Sequence, residues 1–315
     1  MTVEALLGPD TVSARLLGHP GLLLGGPRAL LLQVAHPGVA AGVAQHSDFA
    51  SDPFGRLTRT LKVMDRIAFG RPEQAAAALA GLDAVHRRVA GVRPDGVAYS
   101  ADDPELVLWV HATLIDTVLR VDARYLGILD EPARRRFYEE SMLLAAAFHL
   151  PEVPGDLDAF RRYMAAALDR VEVGDDARRI AGQVIRPSFG AVLGPAGSVL
   201  GLLSAPLLEA VTADLLPSRL RRAYGLRRGA GLPPAAVALQ VAATLSRLVS
   251  PRLPAALTRP GTLARATVPF HPGHGGAARP RQVGGRSSPA NSARQRPGRA
   301  STNGKSTTAP VPRSQ

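Results

Sequence analysis

Apolar residues recur every three to four positions through most of the first 256 residues, the spacing of helices that bury one face. This period predicts a first helix over about Arg28–Val43, bent at Pro37. A second is expected over Pro53–Phe69, with Asp52 as N-cap, Pro53 in the first turn and Gly70 at the end. A third covers about Pro72–Ala90 and stops at Gly91. The run Asp102-Asp103-Pro104 starts a fourth that reaches about Leu126. A fifth spans Glu131–Phe148 and ends before Pro151. Shorter helices follow over Asp156–Leu168, Asp175–Ile185, Leu202–Leu215, Ser218–Tyr224 and Pro234–Leu248. No sustained apolar–polar alternation is present, and aromatic residues make up only 4% of the chain, which argues against a sheet-rich fold. The expected class is all-α.

Two stretches depart from this pattern. Residues 187–208 carry no charge, which matches the length of a membrane span. Three prolines and four glycines interrupt them, so a buried loop and helix is the expected form, with membrane-surface contact or a span as alternatives. From about Thr267 the chain turns to Gly, Pro, Ser and Arg without apolar period. Residues 267–315 are therefore expected to be a disordered basic tail beyond a helical domain of residues 1–266. Such a tail can touch an anionic membrane or nucleic acid by charge alone, or serve only as a solvated end. The start of the sequence lacks a basic segment followed by an apolar one, which points to the cytoplasm, with a membrane-peripheral position as the variant.

Charge and composition narrow the chemistry. The net charge of +12 is unevenly spread: residues 1–214 hold 21 Lys and Arg and all 26 acids, and the rest hold 17 cations and no acid. Cysteine is absent, which removes disulfides, thiolate metal sites, iron–sulfur clusters and cysteine nucleophiles. A metal would need His or carboxylate ligands. No H-E-x-x-H, G-x-G-x-x-G, P-loop lysine or G-x-S-x-G is present, so hydrolase, kinase and dinucleotide-binding readings have no motif behind them. Paired E-x-x-H motifs are also missing, which leaves a di-iron helical bundle unsupported.

What remains is a set of polar residues inside otherwise apolar helices. Arg56, Arg59 and Thr60 share one helix face with Val63 and Ile67. They read either as a surface cluster, with Asp52 pairing Arg56, or as a guanidinium and hydroxyl group aimed at a carboxylate or an oxygen species. His86 lies beside the apolar stripe Leu79, Leu82, Val85 and Val89, as a boundary residue or as an axial metal ligand. His111 and Thr113 lie in L-V-L-W-V-H-A-T-L-I-D-T, where polar residues occur on nearly every face and must find partners. His36 and His46 are ten residues apart, so they need not face one site.

Five segments occur in a telling order: A-H-P-x-V-A-A-G-V-A-x-H-S-D-F, D-P-F-G-R-L-T-R-T, A-V-H-R-R-V-A-G, Y-S-A-D-D-P-E-L-x-x-W-V-H-A-T-L and F-Y-E-E. Together they resemble the MpaB-type oxygenase family, which includes the catalytic domain of latex-clearing protein, a rubber oxygenase. The likeness covers about residues 15–260. It implies a single globin-like helical domain with extra helices, carrying haem b. His86 matches the proximal iron ligand, and Arg56, Arg59 and Thr60 match the distal segment, with His111 and Thr113 as buried polar support for the cofactor. Arg59 stands where the rubber enzyme has a lysine able to ligate iron, and a guanidinium is a poor ligand. Pro37–Ala44, where that enzyme carries an acid, has none. The resemblance thus implies a haem-dependent oxygenase that uses dioxygen on an apolar, isoprenoid- or lipid-like small molecule. Two other readings stand beside it: a non-catalytic haem or lipid carrier, and an interaction protein docking through its basic end.

Overall fold

A computed structural model describes residues 7–8, 10–46, 53–150, 152–187 and 190–227. The expected helix over Pro234–Leu248 and the basic tail lie outside the described residues, as does the Asp52 cap. Within them the fold is all-α, with eleven α-helices and a single two-stranded sheet.

Helix starts follow local chemistry. In α1 (Val12–Leu17) the Thr11 hydroxyl accepts the Ala14 amide, while the Val12 and Ser13 amides donate to Glu140 at 3.1 and 2.7 Å. A 3₁₀ turn, Pro20–Gly25, follows and leads into α2 (Gly26–Val34). The chain then breaks before α3 (Pro37–His46) instead of bending through Pro37. Proline cannot supply the amide that continuity requires, and His36 takes over as the cap: its Nδ1 accepts the Gly38 amide at 3.2 Å.

Two helices then form a hairpin, α4 (Pro53–Phe69) and α5 (Pro72–His86). Gly70 closes α4, where a Cβ would clash with the Arg66 carbonyl oxygen. Helix α5 stops four residues earlier than expected. The chain from Ala90 turns instead into β1 (Ala90–Val92), paired antiparallel with β2 (Ala98–Ser100) through Gly91↔Tyr99. Three-residue strands are too short to show an alternating pattern. The hairpin is anchored by Gln45, which donates to the Val92 carbonyl at 3.0 Å and accepts from the Tyr99 hydroxyl at 2.8 Å.

Helix α6 (Pro104–Val121) is capped by Asp103 and runs on into a π-turn, Asp122–Leu126, that Gly127 ends in the left-handed region. Then come α7 (Glu131–Ala147), capped by Asp130, and α8 (Leu157–Arg170), capped by Asp156. Helix α9 (Asp175–Ile185) matches its expected span. Helix α10 (Gly190–Leu215) replaces the expected loop and helix, starting twelve residues earlier and carrying through Pro195 and Pro206. Helix α11 (Ser218–Ala223) follows. Among the described residues no helix is long and apolar enough to cross a membrane.

The main core packs Leu31, Leu32, Trp109, Phe137, Phe160, Met164 and Ile180 from α2, α6, α7, α8 and α9. The α4–α5 hairpin has its own small core, in which Ile67 and Ala68 meet Leu7 and Leu144, with Val63, Leu79 and Phe148 around them.

A buried cation ties α2, α6 and α10 together. Arg28, 3% exposed, donates to Asp116 at 2.5 Å, to the Thr117 hydroxyl at 2.6 Å and to the Leu215 carbonyl at 3.0 Å. Its 3₁₀ neighbour runs close to α6: a Cβ on Gly25 would come within 2.8 Å of Thr117 and Val121 methyl carbons. Replacing Arg28 by Met strands the Asp116 carboxylate. Removing one partner of a buried pair costs about 3–5 kcal/mol, and the partial exposure of Asp116 lowers this to roughly 2–4 kcal/mol. Thermal denaturation should therefore show the Arg28→Met midpoint falling by roughly 5–10 °C, and an unchanged midpoint would refute the keystone role.

Candidate functional site

Four of the six described histidines are accounted for by the fold. His19 Nδ1 accepts the Gly21 amide at 3.0 Å and caps the 3₁₀ turn. His36 caps α3, and His46 Nε2 lies 3.1 Å from the Ala90 carbonyl. His149 sits exposed at the end of α7 with a positive φ of 54°. His86 and His111 remain.

His86 is the last residue of α5 and is half-buried. Among the described residues its ring makes no hydrogen bond. Burial holds its pKa below the usual histidine value, partly offset by the Asp102 and Asp83 carboxylates. The imidazole is therefore neutral at pH 7, the form that presents a lone pair to a metal. Val85 beside it is 55% exposed, so the apolar stripe expected along α5 ends at Leu82.

The hairpin reverses at Gly70 and Arg71, so α5 returns along α4. The start of α4 and the end of α5 that carries His86 therefore lie at the same end of the hairpin, with Arg59 and Thr60 midway along α4. Both residues are exposed. The face they share with Val63 and Ile67 changes character along the helix: Ile67 is fully buried against Leu7 and Leu144, and the stripe emerges into solvent by Arg59. Arg56 stands one turn earlier on the same helix, and its side chain lies outside the described residues.

His111 is buried in α6, with its ring edge-on to Phe148 at 6.3 Å. Burial alone pulls its pKa down to about 4. Phe148 packs in turn against the small core of the α4–α5 hairpin, so His111 reaches that hairpin through one aromatic ring. Thr113 is fully buried and donates to the Val110 carbonyl of its own helix at 2.8 Å. Its hydroxyl hydrogen is thereby used within α6.

Sequence reasoning missed a set of buried ionic groups. Besides Arg28 and Asp116, the Asp122 carboxylate is fully buried and accepts the Ile128 and Leu129 amides at 2.8 and 3.2 Å. Asp214 accepts from Arg124 at 2.6 Å and from the Tyr125 hydroxyl at 3.2 Å. The only signal was an aspartate in the middle or at the end of an apolar helix. Among the described residues no three His or carboxylate side chains converge on a point that could hold a metal ion. Two hollows, of about 310 and 190 Å³, lie elsewhere and include neither His86 nor His111.

The chain matches the family model described as ER-bound oxygenase mpaB/B'/Rubber oxygenase, catalytic domain, over residues 14–249. Among curated proteins it is 27% identical over 155 residues to an uncharacterized protein of Mycobacterium bovis and to one of Mycobacterium tuberculosis. In each case the match covers 47% of this chain and 61% of the relative, so the chain spans about three fifths of those relatives' length. No solved structure matches the chain significantly.

The neutral His111 has a measurable consequence. Its folded pKa of about 4 lies below the unfolded value near 6.5, so the unfolded state binds the proton more readily between them. The stabilisation is complete above pH 6.5 and is lost as the pH falls toward 4, by up to about 3 kcal/mol. Chemical denaturation from pH 7.5 to 4.5 should show this decline, and His111→Gln should make it shallower. An equal slope in the variant would refute it.

Proposed function

The chain belongs to the mpaB/rubber oxygenase catalytic-domain family, and we propose that it is a haem b-dependent oxidoreductase that uses dioxygen on an apolar small molecule. The oxygenase-related character comes with the family. The haem, the substrate class and the residue roles are our reading.

The observation that carries it is His86. Its imidazole is half-buried, kept neutral by burial and without a hydrogen bond among the described residues, at the end of a two-helix hairpin. Haem, if bound, would need an imidazole from the protein to hold its iron, and His86 is the described residue that would supply it. That requirement fits a chain in which the described His and carboxylates form no multi-ligand cluster. When bound, haem supplies the redox chemistry that couples dioxygen to oxidation of the substrate.

The chain's own residues would divide the remaining work. His86 Nδ1 or Nε2 would hold the iron, and Asp83 and Asp102 favour the basicity of that ring. Arg56 and Arg59 would take the propionate carboxylates or hold negative charge that develops on the oxygen side. Thr60, one residue on, would add a hydroxyl donor there. His111, neutral at pH 7, and Phe148 would form the dry wall behind the hairpin, with Thr113 already satisfied inside α6. The substrate would be an isoprenoid- or lipid-like molecule, because few polar groups are available to orient a polar one.

Two features support a second reading, a carrier of haem or lipid that does not turn over. Arg59 and Thr60 are exposed, and residues 37–44 hold no acid.

An absorption spectrum tests the first claim. Full-length protein supplied with haemin should show a Soret band that shifts on reduction with dithionite, and His86→Ala should lose or displace it while keeping the wild-type far-ultraviolet circular dichroism. An identical Soret band in His86→Ala sinks the assignment. Oxygen uptake with an unsaturated lipid or isoprenoid panel separates enzyme from carrier, and Arg59→Ala should lower that uptake by about tenfold or more.

A further inference from the structure

We propose that the open hollow between α6, α7 and α8 is a binding site for a small organic carboxylate. It is distinct from the proposed haem site, and none of its lining residues is used there.

Guanidinium groups converge on the hollow from three directions. Arg120 comes from α6, Arg134 from α7 and Arg161 from α8, around a space of about 190 Å³. The one acid in the lining, Asp116, is already bound to the buried Arg28 at 2.5 Å. Arg161 is also committed, to Glu131 at 2.8 and 3.0 Å and to Asp158 at 3.1 Å.

The other two guanidiniums have donors to spare. Arg120 makes no ion pair among the described residues. Arg134 has two long ones, to Asp122 at 3.5 Å and to Glu131 at 3.8 Å. Its Nε is buried and makes no hydrogen bond, the one buried side-chain polar atom of that kind among the described residues. The Nη atoms of Arg134, held only by those long pairs, keep N–H groups for a further acceptor. A carboxylate meets this need, because its two oxygens match the forked geometry of guanidinium groups.

The rest of the lining decides which oxyanion. Leu119, Ala123 and the Phe160 ring give an apolar floor. An inorganic phosphate would leave that floor uncovered. A carboxylic acid with a chain of a few carbons covers it while its carboxylate reaches Arg120 and Arg134.

The test is a calorimetric titration of the full-length protein with sodium butyrate at constant ionic strength, with inorganic phosphate as the second titrant. Butyrate should bind saturably with a dissociation constant on the order of millimolar, as suits so few atoms. Arg120→Gln, an exposed position, should weaken it about tenfold with an unchanged melting temperature of the free protein. No saturable binding, equal binding in Arg120→Gln, or phosphate binding as tightly as butyrate would each overturn the proposal. Loss of the Soret band in His86→Ala should leave butyrate binding intact, so failure of the haem reading and failure of this one are separable.

Discussion

A guanidinium taken out of water must be paired on every side, and in this fold that demand falls on Arg28. Its three kinds of partner come from different elements: a carboxylate and a hydroxyl one residue apart on α6, and the last carbonyl of α10. Desolvation makes each contact nearly obligatory, so the side chain fixes where α2, α6 and α10 meet. A cation at the carbonyl end of α10 also meets the negative end of that helix's dipole. The glycine at position 25 completes the arrangement, because only a residue without Cβ lets the preceding turn approach α6 so closely.

The parts of the fold that could be read from sequence are those whose cause is local. Asp103-Pro104, Asp130 and Asp156 start helices through hydrogen bonds two or three residues away, and Gly70 ends one through its own turn. The errors arise where the cause is distant or unusual. His36 splits the first long helix because an imidazole replaces the ordinary capping side chain. The β-hairpin depends on Gln45 of α3. Arg28 finds its partners 88 to 187 residues along the chain, so nothing near it announces that it is buried.

The candidate site shows the same division. Spacing placed Arg59 and Thr60 on one face with Val63 and Ile67, and that is where they are. It did not show that the face leaves the core before it reaches them, since that depends on how far Leu7 and Leu144 extend along the hairpin. Spacing left His86 as either a boundary residue or a metal ligand, and the order of motifs around it favoured the second. The structure adds a physical contrast: His19 and His36 spend a ring nitrogen on the backbone, and among the described residues His86 does not.

The separate core of the α4–α5 hairpin has a dynamic consequence. Among the described residues, Leu7, Ile67, Ala68 and Leu144 are the buried ones there, against the much larger cluster around α6. Local stability follows buried apolar contact, so opening this hairpin should cost less than opening the α6 bundle. Under the proposed function, a planar cofactor would then reach the end that carries His86 by a partial excursion of two helices, leaving the Arg28 junction closed.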